Sequence, residues 1–186
     1  MSESDPEISD ARTSTASGKY AIIAIATLAI GGALFNWWYQ RDLHRKSLEF
    51  WGAARARLIV QAPQVEALRL TTSDEQTTAS DDRIEFGGKS WTIVERRSID
   101  TPTQAPGSSH VRRSLVNDKS FAWDEPADSC QPVWQYALRF RDGGESETVL
   151  ISLECPRLAR VGSDSQRSIR PMVPALKEFF DEQFSR

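Results

Sequence analysis

The clearest pattern in the chain is an apolar run from residue 20 to residue 40 that contains no charged residue. In a helix, about 20 such residues span a hydrocarbon core of about 30 Å. Aromatic rings stand at both ends of the run, as is typical of side chains at the headgroup level. The pattern predicts a transmembrane helix over residues 20–40. Its expected membrane-interface residues are Lys19, Tyr20, Trp37, Trp38, Tyr39 and Arg41.

A cleaved signal peptide is the main alternative to a retained anchor. A signal peptide begins with a short basic segment, whereas the 19 residues before this run are acidic. Phe35 and Trp37 stand where a small-x-small cleavage site is expected. We therefore expect a retained anchor that follows a disordered acidic tail over residues 1–19, because the tail has no apolar pattern.

Helical periodicity appears twice more. Residues 41–62 have apolar side chains at three- and four-residue spacing, which predicts one juxtamembrane amphipathic helix ending before Pro63. Its arginines either lie on anionic headgroups or form a solvated face while the apolar stripe packs on the domain, and the second interpretation is preferred. A second stripe, from Ile169 to Phe184, predicts a C-terminal amphipathic helix with Pro171 and Pro174 in its first turn.

Between these helices a period of two predicts antiparallel strands. Residues 65–70 form one candidate, and residues 83–86 and 90–96 flank a turn at Gly87-Gly88-Lys89. A second hairpin joins residues 133–140 to residues 148–154, and residues 162–168 are predicted as a loop. Hairpins without crossover helices favour an α+β domain over residues 63–186, with a small antiparallel sheet packed against the C-terminal helix.

Both cysteines flank the second hairpin. Placing its apolar positions on one face puts Cys130 and Cys155 just beyond the strand ends on the same face. A disulfide is then within reach, although two reduced, buried cysteines are at least as common. The expected cross-strand pairs are Leu138–Val149, Tyr136–Ile151 and Trp134–Leu153.

Charge and cysteines disagree about which side of the membrane the domain faces. The positive-inside rule places the domain in the cytoplasm, because basic residues are more numerous after the span than before it. A disulfide would instead place it in an oxidising compartment. We expect the cytoplasmic side, because several charges outweigh one bond. The basic residues counted are Arg41, Arg45, Lys46, Arg55 and Arg57 after the span and Arg12 and Lys19 before it.

The distribution of charge argues against a nucleic-acid partner. Four acidic and two basic residues in the first 19 give the tail −2 of the chain's net −3, so the remainder is close to neutral. A near-neutral domain has no electrostatic footprint for a phosphate backbone.

Few residues offer catalytic chemistry. His110 is the histidine away from the membrane, with Ser108 and Ser109 before it and Asp118 after it, which makes a hydrolase one functional alternative. A surface histidine is the more common case, and no G-x-S-x-G motif accompanies this one. The paired acids Asp81-Asp82 and Asp124-Glu125 are typical of exposed loops.

The sequence evidence for a metal or cofactor site is weaker than the evidence for a catalytic histidine. The two cysteines lack C-x-x-C spacing, and Gly87-Gly88-Lys89 predicts a turn instead of a phosphate-binding loop. No catalytic residue, metal ligand or cofactor is therefore predicted.

Several segments resemble a pattern of uncharacterised bacterial membrane-anchored proteins. Those proteins combine an N-terminal span, an LxDxSF-type segment and a cysteine-flanked hairpin. The resemblance implies a bacterial cytoplasmic membrane and no particular activity. The matching segments are Leu115-Val-Asn-Asp118, Ser120-Phe-Ala-Trp123, Cys130, Ala137-Leu-Arg-Phe140 and Leu150-Ile-Ser-Leu-Glu-Cys155.

Together these patterns predict a membrane-tethered, non-catalytic binding or assembly module, with a small-molecule- or lipid-binding domain as the alternative. The expected partners are the lipid bilayer and a protein in the same membrane, which the tether would concentrate near the domain. Small residues at Thr27 and Gly31 also permit a homodimer through the span, although alanine-rich spans produce such spacing by chance.

Overall fold

The computed structural model describes residues 15–42, 44–72, 83–100, 105, 107–126 and 130–185, without the side chains of residues 15–19 and 40–42. The chain divides into two compact units, Met1–Asp42 and Leu43–Arg186. In the first unit, helix α1 covers Thr15–Asp42. Its segment Tyr20–Tyr39 is long and apolar enough to cross a membrane, as signal sequences and buried core helices also are. The apolar side chains of this helix are exposed.

Residues 41–62 contain a helix break that the sequence analysis did not predict. Helix α2 covers Arg45–Trp51 and helix α3 covers Ala53–Gln61. Gly52 separates them with φ 74° and ψ 151°, a conformation open to glycine and unfavourable for other residues. One long helix is thus replaced by two short ones, and both belong to the same compact unit as the sheet.

The second unit is built on a seven-stranded antiparallel half-barrel. The strand order is β2-β3-β1-β4-β5-β6-β7. Helix α4 (Ser108–Leu115) follows β3, and helix α5 (Val173–Phe184) ends the described chain. The predicted α+β class, with an antiparallel sheet and a C-terminal helix, is confirmed. The strands are β1 (Gln64–Thr72), β2 (Arg83–Phe86), β3 (Lys89–Ser98), β4 (Tyr136–Asp142), β5 (Glu145–Ser152), β6 (Arg157–Arg160) and β7 (Gln166–Ser168).

One face of the sheet packs against the helices and forms the main core. Apolar side chains of β1, β4 and β5 lie under α3, α4 and α5 in one continuous cluster. Tyr136 stacks on Phe180 of α5 with ring centroids 4.2 Å apart, and Phe180 is fully buried. Fully burying one such aromatic side chain contributes about 1.5–3 kcal/mol. The apolar stripe of α5 therefore covers the sheet, as its spacing predicts.

The opposite face of the sheet carries a second, smaller apolar cluster. Residues 130–135, which we call the strap, precede β4. Trp134 of the strap belongs to the cluster and meets Phe86 edge-to-face, with ring centroids 5.5 Å apart. The Gln135 carbonyl accepts the N–H of Leu70, and the Gln135 N–H donates to Ile151. The strap is thereby held between β1 and β5.

The predicted register of the second hairpin is confirmed in part. Leu138 faces Val149 and Tyr136 faces Ile151 across β4 and β5. The expected Trp134–Leu153 pair is wrong, because the strand begins at Tyr136 and Trp134 joins the opposite face. The loop predicted over residues 162–168 is also too long, since Gln166–Ser168 form the edge strand β7.

Candidate functional site

The segment from Arg112 to Trp123 receives helix α2, and we call it the dock. The carboxylate of Asp118 accepts the backbone N–H groups of Lys46 at 3.0 Å and of Ser47 at 2.6 Å. These N–H groups lie in the first turn of α2, where the helix itself offers them no hydrogen-bond acceptor. A carboxylate there also matches the positive end of the helix dipole. Asp118 therefore caps α2 from a position 71 residues later in the chain.

Two further contacts fix α2 along its length. The Ser47 hydroxyl donates to the Val116 carbonyl at 2.7 Å. The indole N–H of Trp51 donates to the Leu115 carbonyl at 2.7 Å, and the Trp51 side chain is fully buried. Buried indole N–H groups need such an acceptor, so the dock satisfies the polar atoms of α2 while it buries its apolar side.

Arg112 of the dock caps the other end of the helix pair. Its guanidinium donates to the carbonyls of Ile59 at 2.8 Å and Ala62 at 2.7 Å, at the C-terminal end of α3. A cation at this end matches the negative pole of the helix dipole. Burial lowers the pKa of the Arg112 guanidinium, while the nearby charge of Asp100 raises it. One short segment thus caps the start of α2 and the end of α3.

A buried ion-pair network holds the junction between α2 and α3 from the sheet side. Glu147 of β5, 6% exposed, lies 3.2 Å from Arg160 Nε and 3.0 Å from Arg55 Nε. Arg160 also donates to the Phe50 carbonyl at 2.8 Å. Its guanidinium lies 5.8 Å from the ring centroids of both Phe50 and Trp51, within the range of cation–π attraction. The network therefore joins the helix break at Gly52 to the sheet.

A group of arginines lies on the sheet face opposite the helices. Arg139 pairs directly across from Glu66 of β1, and guanidinium nitrogens of Arg96, Arg139 and Arg141 each lie 3.7 Å from a Glu66 carboxylate oxygen. We call these four residues the arginine face. Together they carry a net charge of +2. Nothing in the spacing of β1, β3 and β4 predicted this group, because each strand contributes only one or two of its members.

Cys130 and Cys155 form a disulfide that ties the strap to the turn after β5. Cys130 is exposed and Cys155 is buried. The hairpin register had placed the two cysteines within reach of each other, and the structure brings their sulfur atoms to bonding distance. The bond anchors one end of the strap, and Trp134 anchors the other.

The proposed serine–histidine–acid residues do not assemble into a relay. The Asp118 carboxylate accepts two backbone N–H groups at the start of α2. Ser108 is buried at the start of α4, whereas Ser109 and His110 are exposed. The Gly87-Gly88 pair forms the predicted turn, with φ of 59° and 72°. Asp81 and Asp82 lie outside the described residues.

Of the predicted interface residues, Tyr20, Trp37, Trp38 and Tyr39 are exposed on α1. Lys19 and Arg41 lie within α1, but their side chains are outside the described part of the chain. Within that part, no three His, Cys, Asp or Glu side chains are grouped to hold a metal ion.

Glu125 joins the loop before the strap to the edge of the sheet. Its carboxylate accepts the Ser168 hydroxyl and the Arg170 guanidinium. The hydrogen bond from Ser168, followed by that from Arg170, lowers the pKa of the Glu125 carboxyl. Its neighbour Asp124 is exposed, so a substitution of Asp124 is a suitable control for a substitution of Glu125.

Glu125→Gln should make the folded domain less sensitive to acid. The folded-state pKa is lowered, so the stabilisation is complete above the unfolded-state pKa of about 4.3 and is lost as the pH falls through the lower folded-state pKa. The unfolding temperature of the wild type should therefore fall more steeply than that of E125Q below about pH 5. Circular dichroism of the chain in detergent measures this, with Asp124→Asn as control. Equal slopes for all three proteins would contradict the assigned role of Glu125.

No protein-family model, curated protein or solved structure matches the chain.

Proposed function

We propose that this chain is a membrane-tethered, non-catalytic binding or assembly module. The observation that carries the proposal is the apolar helix α1, whose apolar side chains are exposed and which precedes a separate folded α+β unit in the same chain. A membrane tether of this kind raises the local concentration of the folded unit for a partner in the same membrane.

Helix α1 supports the membrane part of the proposal through its exposed apolar side chains. Residues such as Leu28 and Ile30 stand fully on the helix surface, and burying this surface in hydrocarbon is strongly favourable. The rings of Trp37, Trp38 and Tyr39 then lie at one headgroup level. We propose a single-pass protein of the bacterial cytoplasmic membrane, in line with the resemblance of its sequence.

We further propose that the domain lies on the oxidising side of that membrane. The disulfide between Cys130 and Cys155 supports this side, because disulfides persist in oxidising compartments. The count of basic residues favours the cytoplasm, but Arg55 is also a structural residue, paired with Glu147 inside the folded domain. Its presence near the span therefore has an explanation apart from topology.

A fractionation experiment tests the tether. After lysis, the full chain should sediment with membranes and resist extraction by alkaline carbonate. A Leu28→Arg/Ile30→Arg variant should lose most of this association, because each central arginine costs about 2.5–3.5 kcal/mol on insertion scales. Leu48→Arg, at an exposed position of α2, is the matched control and should sediment as the wild type does. Wild-type protein in the supernatant would refute the proposal.

Thiol labelling of intact spheroplasts tests the side. An impermeant maleimide polymer should leave the wild type unmodified until an impermeant reductant is added, and should then shift both cysteines on a gel. Labelling that requires permeabilisation but no reductant would place reduced cysteines in the cytoplasm. A Cys130→Ser/Cys155→Ser chain controls for labelling elsewhere.

A further inference from the structure

We infer that the Cys130–Cys155 disulfide is a reversible thiol-exchange site, which a dithiol of a partner protein opens at Cys130 and which frees the strap when it opens. The disulfide ties the strap to the turn after β5. Such exchange goes beyond the proposed binding function, since it assigns a reaction and a class of reactant to a bond that the fold alone would leave structural.

The two cysteines differ in their access to solvent. Cys130 is exposed, whereas Cys155 is only 5% exposed. Exchange requires a thiolate to reach one of the two sulfur atoms, so access decides which of them is attacked. Attack is therefore directed at Cys130, and Cys155 is the leaving group.

An open groove lies beside the exposed cysteine. It has a volume of about 890 Å³ and is lined by the first three residues of the strap and by residues 164–167. Gln166 in this lining belongs to β7, the last strand of the sheet. Ala122 already pairs with Ser168 on the side of β7 away from β6, so this edge accepts extended backbone. The groove therefore fits a thiol that is carried on an extended segment of a protein.

The exchange proceeds in two steps. A thiolate of the partner attacks Sγ of Cys130, which forms a mixed disulfide, breaks the bond to Cys155 and releases Cys155 as a thiolate that takes a proton from solvent. The partner's second thiolate then attacks the partner sulfur of the mixed disulfide and releases Cys130, which is protonated in turn. The disulfide of this chain is thereby reduced by two electrons to two thiols, and the dithiol of the partner is oxidised to a disulfide.

Cys155 keeps its place after the bond opens, because the chain around it is held by hydrogen bonds. The Leu153 N–H donates to the side-chain oxygen of Gln135 at 2.8 Å. The Ile169 N–H donates to the Pro156 carbonyl at 3.0 Å. Cys155 is therefore positioned to attack a mixed disulfide on the strap and to form the original bond again, which makes the exchange reversible.

The strap loses the anchor at one of its ends when the bond opens. Gln131 and Val133, which lie between the two anchors, are exposed. At the other end, Trp134 stays in the second apolar cluster and Gln135 stays bonded to β1 and β5. The main core under α3, α4 and α5 contains neither cysteine. Reduction should therefore loosen residues 130–133 and leave the domain folded.

The first test uses the wild-type full chain in a mild detergent. Limiting reduced glutathione is added, the reaction is quenched with acid, and peptide mass mapping should find the adduct on Cys130 about tenfold more often than on Cys155. After full reduction by dithiothreitol, the amide order parameters of Gln131 and Val133 should fall below about 0.6, while those of β4 and β5 stay near about 0.85. Near-ultraviolet circular dichroism should show that the reduced domain is still folded.

The second test fills the groove. Ser165→Trp places a large ring among the lining residues. Reduced thioredoxin, a protein dithiol, should reduce this variant about tenfold more slowly than the wild type, whereas dithiothreitol should reduce both at rates within about twofold. Ser109→Trp, at an exposed position of α4, is the matched control and should react as the wild type does with both reductants.

Three outcomes would overturn the inference. Glutathione found as often on Cys155 as on Cys130 would remove Cys130 as the point of attack. Reduction that requires a denaturant, or that unfolds the whole domain, would show a structural bond. A Ser165→Trp chain that thioredoxin reduces as fast as the wild type, or that both reductants reduce equally slowly, would remove the groove as the site of the partner. Each result leaves the fractionation test untouched, so failure of the exchange site and failure of the tether are distinguishable.

Discussion

Replacing Glu147 with glutamine should lower the free energy of unfolding by about 3–5 kcal/mol, the range seen when one partner of a buried ion pair is removed. The variant leaves Arg160 charged and 10% exposed, without the carboxylate that pairs with it, and with only neutral oxygens such as the Phe50 carbonyl among the acceptors identified for it. The exposed Arg55 also loses its carboxylate. Urea unfolding of the chain in a mild detergent, followed by tryptophan fluorescence, measures the change.

Glu145→Gln is the matched control, because Glu145 lies two residues earlier on the same strand and is exposed. It should change the free energy of unfolding by less than about 0.5 kcal/mol. The double variant Glu147→Gln/Arg160→Met should recover part of the loss, since the uncompensated buried charge is gone. A double variant that is less stable than the sum of its single changes would refute this explanation.

Trp51→Ala should be equally severe, with an expected loss of about 3–5 kcal/mol for truncating a large buried aromatic residue. Trp51 is fully buried, and its indole N–H donates a hydrogen bond to the Leu115 carbonyl of the dock. The truncation therefore leaves a cavity and removes a hydrogen bond at the same time. The same urea titration, followed by far-ultraviolet circular dichroism because a tryptophan is lost, measures the effect.

Leu48→Ala on the same helix is the control for Trp51. Leu48 is 44% exposed, so its truncation should cost less than about 0.5 kcal/mol. Trp51→Phe should fall between the two, because it keeps most of the volume but lacks the N–H group. A Trp51→Ala chain as stable as the Leu48 variant would show that α2 is not held by the dock.

The sequence identified the elements whose signals are local. The hairpin from β4 to β5 was predicted with its register at Leu138 and Tyr136, because alternating apolar positions and a glycine turn define it within about 20 residues. The apolar stripe of α5 likewise predicted a helix that covers the sheet. The uncharged run before residue 41 was recognisable from composition and length alone.

The sequence was misleading where one residue or one strand end decides the geometry. Gly52 interrupts a good helical pattern with a positive φ, and Trp51 and Ala56 are buried on either side of it. Trp134 continues the alternation of β4 by sequence, but the strand begins at Tyr136 and Trp134 joins the cluster on the opposite face. Short-range periodicity contains neither constraint.

What the sequence by itself determined was the division into an apolar helix and an α+β domain, and that a bond between the two cysteines was within reach. Only the tertiary structure revealed that Asp118 caps α2, that Glu147 holds its junction with α3, and that three arginines surround Glu66. These contacts join residues 13 to 92 positions apart, through strand order and helix docking. A periodic pattern records which side of its own element a residue faces, whereas the residue it meets depends on how distant elements pack.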